Sequence, residues 1–151
     1  MKRLLLLLAI CSSLFLSACE FAIYEENPPR PVPPPPVVVV DARDAFLGYF
    51  DLEEYSYNFQ ATHFYEVNIS KSSRPDNAIF ISNFYCDGLV VEAWVNGNTF
   101  VIPEQYVGNY YITGSGNING DRLLMDYNLI YDDGYAYFED YAEATAYRIY
   151  F

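Results

Sequence analysis

The chain has 151 residues, a length that suits one domain with extensions, and it carries a formal net charge of −12. Three bases and three acids precede Asp41 and cancel, so residues 41–151 hold the whole negative excess. Such a domain lacks the clustered Lys and Arg that binding a polyanion requires, and we expect no nucleic-acid partner.

Residues 1–18 have the layout of a bacterial signal peptide. Lys2 and Arg3 precede an apolar run over residues 4–16, and small residues follow it. The run has 13 residues, whereas a membrane-spanning helix needs about 20. We therefore expect this segment to be cleaved rather than kept as a membrane helix.

The stretch Leu16-Ser17-Ala18-Cys19 resembles the lipobox of bacterial lipoproteins. In that family the signal is cleaved before the cysteine, which then carries diacylglycerol on its sulfur and an acyl chain on its amine. The resemblance implies that Cys19 is the lipid attachment site, that the membrane is a partner, and that the protein lies in the cell envelope, at the outer membrane of a Gram-negative bacterium. These acyl chains together would hold the protein at a membrane, because a single acyl chain binds only weakly and reversibly. The alternative is an ordinary secretory signal in which Cys19 is incidental.

Residues 19–40 form a predicted tether and spacer. Seven of the nine prolines lie between Pro28 and Pro36. Proline fixes φ and lacks an amide donor, so this segment is predicted to be a polyproline II rod of about 28 Å. A docking site for a proline-recognising partner is the alternative.

The β domain is predicted over residues 41–151 and begins with a short helix over 42–47, capped by Asp41 and stopped by Gly48. Every tyrosine except Tyr24 lies after it, and aromatic and β-branched residues favour strands. Dipeptides such as Asn96-Gly97 and Asn119-Gly120 indicate hairpin turns. About eight strands are predicted, over residues 48–57, 62–71, 77–85, 89–96, 98–103, 109–117, 121–132 and 135–150.

Alternation of side chains supports these strands. Residues 123, 125, 127, 129 and 131 are apolar or aromatic and share one face, and Ala142, Ala144 and Ala146 form a row of small residues suited to a crowded interior. Short connections favour an all-β, antiparallel up-and-down meander that closes into a small barrel.

Two further resemblances are seen in this domain. The segment Ala45–Phe50, with Arg148 on the last strand, is similar to lipocalin-like barrels, in which a short helix leads into Gly-x-Trp and a basic residue covers the first-strand aromatic. Phe50 stands here in place of that Trp. The resemblance implies a lipocalin-like barrel with Arg148 over Phe50.

The segments "FLGYFDLEEY", "ITGSGNINGDRLLMDYNL" and "ATAYR" resemble an uncharacterised lipoprotein domain common in Bacteroidota. Many of its members carry one cysteine in the first strand and another in the last, where this chain has Tyr55 and Glu143. The resemblance implies a fold and a cellular compartment, but it does not indicate any particular activity. Because this chain lacks both cysteines, it cannot form that disulfide.

Cysteine chemistry is limited in this sequence. Cys11 leaves with the signal and Cys19 is the predicted lipid site, so Cys86 is the one thiol left in the domain and no intramolecular disulfide is expected. Cys86 precedes Asp87-Gly88, a predicted turn, and we expect it to be a buried or half-buried, inert thiol at a strand end.

Catalytic and metal patterns are weak. His63 is the only histidine, zinc needs several Cys or His ligands, and Gly114-Ser115-Gly116 lacks the spacing of a nucleophile elbow. A carboxylate pair for glycoside hydrolysis stays an alternative, as does calcium at Asp132, Asp133, Glu139 and Asp140. We expect no catalytic residue, no metal site, no cofactor and no enzyme.

The abundance of aromatic residues is the sharpest compositional signal. Core packing explains most of them, and a ligand surface for sugars or hydrophobic molecules would use Trp94, Tyr110 and Tyr111. The leading hypothesis is a lipid-anchored envelope protein with a monomeric, non-catalytic binding or structural β domain. The alternative is a carrier of a small hydrophobic ligand or lipid in a lipocalin-type cavity.

Overall fold

The computed structural model of the chain describes residues 40–73 and 77–151. The predicted signal peptide, the lipid site Cys19 and the proline-rich spacer lie outside the described residues. Within the described ranges, no helix has the length and apolar character needed to cross a membrane.

Eight antiparallel strands form the domain, and each pairs with the next along the chain. Pairing of β1 with β8 closes the sheet into a barrel. The strands are β1 (Gly48–Ser56), β2 (Ala61–Lys71), β3 (Ala78–Phe84), β4 (Leu89–Asn96), β5 (Thr99–Val107), β6 (Tyr110–Asn119), β7 (Arg122–Asp132) and β8 (Tyr137–Ile149). The predicted all-β, up-and-down barrel is confirmed.

The helix before β1 is a single 3₁₀ turn, Ala42–Ala45. The Asp41 carboxylate accepts a hydrogen bond from the Arg43 backbone N–H at 3.0 Å, which is the predicted cap. The turn ends at Phe46, short of the predicted bound at residue 47. Phe46 leaves the helix early because its ring is fully buried in the barrel, edge-on to Phe100 at 5.7 Å between centroids.

The barrel has two unlike ends, which we call the closed end and the mouth. The closed end carries the 3₁₀ helix and the β2–β3, β4–β5 and β6–β7 turns. Ion pairs from Asp41 to Arg43 and Lys71, both of 2.8 Å, hold the helix there. The mouth carries the other four turns, at residues 57–60, 85–88, 108–109 and 133–136.

Large side chains fill the barrel between these ends. Phe50, Phe84, Phe100 and Tyr127 are among the largest fully buried residues. The predicted inward faces of β7 and β8 are confirmed, since Leu123, Met125, Tyr127 and Leu129 and the row of three alanines are buried. Gly114 and Gly116 make room for this packing, because a Cβ at either would lie within 2.6 Å of Tyr127 or Phe100.

The contact predicted between Arg148 and Phe50 is also confirmed. The guanidinium carbon of Arg148 lies 4.7 Å from the centroid of the Phe50 ring. The same guanidinium donates hydrogen bonds to the carbonyl oxygens of Leu47 and Ala45 at the end of the 3₁₀ helix. Tyr55 and Glu143 lie directly opposite each other across β1 and β8.

The expectation of a buried or half-buried Cys86 is wrong. Cys86 is exposed. The chain reverses at Tyr85 and Cys86, where the Asp87 N–H donates to the Phe84 carbonyl at 3.3 Å and both central residues have positive φ, +57° and +52°. The cysteine therefore lies at the tip of a turn instead of at the end of a strand.

Candidate ligand pocket at the mouth of the barrel

A cavity of about 370 Å³ lies at the mouth, above the filled part of the barrel. It is mostly apolar. Its lining comes from β1, β2, two turns and the start of β8, and consists of Glu54, Phe59, Ala61, His63, Tyr85, Cys86 and Phe138. We call it the mouth pocket.

Glu54 provides the buried acid of the mouth pocket. On β1 the side chains alternate, and Phe50, Leu52, Glu54 and Ser56 all point inward. Glu54 is only 1% exposed, and its Oε2 accepts hydrogen bonds from the hydroxyls of Tyr65 and Tyr127. Its Oε1 accepts none from the described residues. Every fully buried polar side-chain atom of the described residues has a partner, so Oε1 keeps a small accessible area, and Glu54 is one of the residues that line the cavity.

Burial raises the pKa of Glu54 above its usual range, against the hydrogen bonds from Tyr127 and Tyr65, which favour the carboxylate. Burial and the nearby carboxylate also raise the pKa of both tyrosines. The tyrosines therefore stay hydrogen-bond donors, and the charge on Glu54 is the quantity that a ligand can influence.

Asp140 is a second buried acid, 2% exposed, but it has a structural role. Its Oδ1 accepts the Asn58 backbone N–H at 3.2 Å, and its Oδ2 accepts the Tyr85 hydroxyl at 3.0 Å. Asp140 thereby joins β8 to the turns at residues 57–60 and 85–88. It does not line the mouth pocket.

Aromatic rings surround the mouth in a continuous chain of contacts, which we call the aromatic rim. Neighbouring ring centroids are 4.9 to 6.5 Å apart, and one pair is stacked at 5.2 Å. In order, the rim consists of Phe59, Phe138, Tyr131, Tyr110 and Tyr85. Three of its hydroxyls donate to aspartates, from Tyr85 to Asp140, from Tyr110 to Asp87 and from Tyr131 to Asp133.

The three residues predicted to bind a ligand lie in three places. Tyr110 belongs to the aromatic rim, and burial followed by its bond to Asp87 raises its pKa to about 12. Trp94 lies on the outer face of β4, 47% exposed, with its indole N–H donating to Glu92 at 3.1 Å. Tyr111 lies on the outer face of β6, 5.1 Å from the Tyr106 ring. Their binding role stays a prediction.

Bases, unlike acids, lie at one end of the barrel. The four bases that the structure describes all lie at the closed end: Arg43, Lys71, Arg122 and Arg148. Three of them pair there with Asp41, Asp44 or Asp121. Six other acids lie around the mouth: Glu54, Asp87, Asp132, Asp133, Glu139 and Asp140. Among the described residues, His63 is the only side chain at the mouth that could carry a positive charge.

The predicted calcium ligands are engaged in other contacts. Asp133 accepts the backbone N–H groups of Tyr135 and Ala136, and Asp132 accepts that of Gly134. Asp140 points into the barrel. Within residues 40–73 and 77–151, no group of three or more His, Cys, Asp and Glu side chains is arranged to hold a metal ion.

Two outer clefts of about 660 Å³ each are larger than the mouth pocket. One lies over β1, β7 and β8 beside Tyr55 and Tyr141, and the other lies beside Tyr106 and Tyr111. Neither contains a buried charged group. The mouth pocket is the stronger candidate because a buried carboxylate faces it.

Sequence reasoning missed Glu54, Tyr65 and Tyr85, and it named Asp140 only as a possible calcium ligand. A signal for Glu54 does exist in the sequence, because it follows Phe50 and Leu52 at the next inward position of an alternating strand. No local pattern indicates that Tyr85 reaches Asp140, since 55 residues separate them. No protein-family model matches the chain, and no curated protein matches it.

Proposed function

We propose that this chain is a lipid-anchored protein of the bacterial cell envelope whose barrel is a non-catalytic binding domain for a small ligand at the mouth. The anchor is the lipid on Cys19, and residues 19–40 are the spacer. The observation that carries the binding role is the mouth pocket, with Oε1 of the buried Glu54 open to it.

The size of the cavity supports a small ligand. A volume of about 370 Å³ is at the lower end of the range for ligand pockets, which is roughly 300 to 1,000 Å³. Below the pocket, Tyr127, Phe84 and Phe100 fill the barrel, so a long acyl chain has no room to enter. Of the two roles expected from the sequence, binding of a small molecule therefore fits better than transport of a lipid.

The arrangement of the acids favours binding over catalysis. Glycoside hydrolysis uses two carboxyl groups that flank a bond of the substrate. Here both oxygens of Asp140 are held by Asn58 and Tyr85, and Asp140 does not line the cavity. One open oxygen of Glu54 suits a recognition group.

The connectivity of the chain supports an anchored receptor. The described chain starts at Val40, next to Asp41 and the 3₁₀ helix at the closed end. The spacer would thus join the barrel at the end opposite the mouth.

Binding can be tested with the neutral hydrophobic probe N-phenyl-1-naphthylamine and the unlipidated mature chain, residues 19–151. We expect its fluorescence to increase on addition of the chain. Ala61→Trp, which fills the mouth pocket, should abolish the increase, whereas Ala136→Trp, in the exposed 133–136 turn, should leave it unchanged. Melting curves check that both variants fold. Equal fluorescence with both variants would contradict a site in the mouth pocket.

Anchoring has a separate test. Cys19→Ala should move the protein from the membrane fraction to the soluble fraction and abolish incorporation of labelled palmitate. Cys86→Ala is the matched control, because it removes the thiol of the barrel and should change neither result. Unaltered membrane partition of Cys19→Ala would disprove the lipid anchor.

A second binding mode is supported by the cleft beside Tyr106 and Tyr111, two rings on the outer face whose centroids are 5.1 Å apart. Exposed aromatic faces beside acids suit sugar rings. Tyr111→Ala would abolish carbohydrate binding at this cleft and leave the fluorescence of the naphthylamine probe unchanged.

A further inference from the structure

We infer that the ligand of the mouth pocket is an organic cation, with an ammonium-type head that contacts Glu54 Oε1 and an apolar or aromatic body held among the rings of the aromatic rim. This inference rests on the proposed function, since it names the chemical class of the ligand for the same pocket. Three observations carry it: the open acceptor, the rings and the distribution of charge.

The open acceptor is the first observation. Glu54 is only 1% exposed. Of its two carboxylate oxygens, Oε2 accepts both tyrosine hydroxyls, and Oε1 has no donor among the described residues. A buried carboxylate is stabilised most by a donor that is itself charged, because a charge-assisted hydrogen bond is about twice as strong as a neutral one. An ammonium group supplies both the donor and the countercharge.

The rings are the second observation. Phe59, Phe138 and Tyr85 line the cavity and present aromatic surface. The faces of aromatic rings attract cations because the ring quadrupole places negative potential there. The hydroxyl of Tyr85 already donates to Asp140, so it is not a free donor for an anionic or carbonyl-bearing ligand.

The distribution of charge is the third observation. Every base that the structure describes lies at the closed end, and acids surround the mouth. Asp87 and Asp133 accept the hydroxyls of Tyr110 and Tyr131, which places these two acids beside the aromatic rim. Such a field draws cations toward the mouth and repels anions. Apart from His63, nothing in the described mouth could neutralise an anionic ligand.

The inference is tested with three probes that share one body and differ in the charge of the head: 2-phenylethylammonium, 2-phenylethanol and 2-phenylacetate. Titration calorimetry on residues 19–151 gives the three affinities at probe concentrations up to about 10 mM. We expect the ammonium to bind with a dissociation constant of about 1 mM or tighter. It should bind about tenfold more tightly than the alcohol, and the carboxylate should bind most weakly.

Two pairs of variants locate the effect. Glu54→Gln keeps the shape of the side chain and an acceptor for the tyrosines, and should remove the roughly tenfold preference for ammonium, whereas Glu53→Gln, on the outer face, should keep it. Phe59→Ala, in an exposed turn, should weaken binding of the ammonium by about threefold. Its control is Tyr135→Ala, which removes a fully exposed ring outside the aromatic rim. If Glu54→Gln does not fold, Phe59→Ala still tests whether the ammonium binds among the rings of the mouth pocket.

The outcomes separate this inference from the proposed function. If the alcohol or the carboxylate binds as tightly as the ammonium, the cationic class is wrong while the mouth pocket stands as a binding site. A full preference for ammonium in Glu54→Gln would also overturn the inference. If none of the three probes binds, the inference fails, and the naphthylamine titration with Ala61→Trp then decides separately whether the mouth pocket is a binding site.

Discussion

At the scale of single residues, Glu54 is the unusual position of this protein. It lies at an inward position of β1 where its neighbours on the same face are Phe50, Leu52 and Ser56. A buried carboxylate destabilises the fold when it is ionised, unless hydrogen bonds or a countercharge offset the lost hydration. Tyr65 and Tyr127 supply part of that offset through Oε2, and the described residues provide no donor for Oε1.

The first prediction concerns the pH dependence of stability. Burial raises the pKa of Glu54 above its ordinary value of 4.5, so the folded chain binds this proton more tightly than the unfolded chain. The resulting stabilisation is fully present below pH 4.5 and is lost as the pH rises through the raised value. Burial outweighs the hydrogen bonds from Tyr127 and Tyr65 and the charge interaction with His63, which lower the pKa of this carboxyl group, and the nearby Asp140 carboxylate raises it further.

Glu54→Gln removes this titration. The free energy of unfolding of the variant minus that of the wild type should therefore increase with pH above 4.5, by at most about 1.4 kcal/mol per pH unit, and then level off. Urea unfolding of both proteins at several pH values between about 4 and about 8 measures this difference in the free energy of unfolding. Glu53→Gln, at the exposed neighbouring position, should not show the rise. A difference that is flat or decreases with pH for Glu54→Gln would contradict the assignment.

A second prediction concerns Gly116 on β6. A Cβ at this position would lie 2.6 Å from Cε1 of the buried Phe100 and 2.5 Å from the Leu124 carbonyl oxygen. Because the backbone carbonyl cannot move aside, Gly116→Ala should lower the free energy of unfolding by about 1 to 3 kcal/mol. Ser115→Ala, on the same strand, loses only an exposed hydrogen bond to Asp126 and should cost less than about 1 kcal/mol. Equal stability of both variants would show that the interior is loosely packed.

The sequence allowed us to predict which small side chains are buried, but not which polar side chains form hydrogen bonds with each other. The three alanines of β8 were assigned to a crowded interior from the sequence, and they lie there. The bonds of Glu54 to Tyr127 and of Asp140 to Tyr85 span 73 and 55 residues. Such contacts depend on closure of the barrel, and no local pattern encodes them.

At the scale of elements, the 3₁₀ helix and Arg148 complete the closed end. The Arg148 side chain covers Phe50 and binds the last carbonyl groups of the helix, so one residue of β8 holds the helix onto β1. An arginine suits this position because its planar guanidinium can stack on a ring while donating several hydrogen bonds.

The third prediction is the effect of Arg148→Lys. Lysine keeps the charge but loses the planar contact with Phe50 and at least one of the two carbonyl bonds, so we expect a loss of about 1 to 3 kcal/mol in the free energy of unfolding. Arg122→Lys, at the exposed start of β7, is the matched control and should change it by less than about 0.5 kcal/mol. Thermal and urea unfolding measure both. An equally small effect at Arg148 would mean that Phe46 and the ion pairs of Lys71 hold the helix without help from Arg148.

The bounds of the strands were largely predictable, because dense turn dipeptides and alternating aromatic residues mark them locally. The largest error is in β5, which runs to Val107, where the sequence predicted an end at residue 103, and a one-residue error lies at the β3–β4 turn, which begins at residue 85 instead of 86. Pro103 and the register shift between Ile102 and Gln105 explain the first, since the strand continues past a bulge. Left-handed conformations at Tyr85 and Cys86 explain the second.

At the scale of the whole molecule, the two ends of the barrel differ in charge. All described bases lie at the closed end, where three of them pair with Asp41, Asp44 and Asp121, whereas the acids beside the aromatic rim at the mouth have no described Lys or Arg near them. Net charge led us to expect no polyanion as partner, but only the fold shows that six acids lie at the end of the barrel without described Lys or Arg. In an eight-stranded meander, successive turns lie at alternate ends of the barrel. Residues that share one end are therefore scattered along the sequence, and the difference in charge between the ends cannot be predicted from it.

The central claim is that the mouth binds a small organic cation, and a titration of amide chemical shifts tests it most directly. The unlipidated mature chain, residues 19–151, labelled with ¹⁵N, is titrated with 2-phenylethylammonium. We predict saturable shifts of the amides of Phe59, Tyr85 and Phe138 at the mouth, and none at the closed end, at Arg43 or Asp121. Shifts centred on the closed end or on the outer face of the barrel, or no saturable shifts at all, would contradict the account.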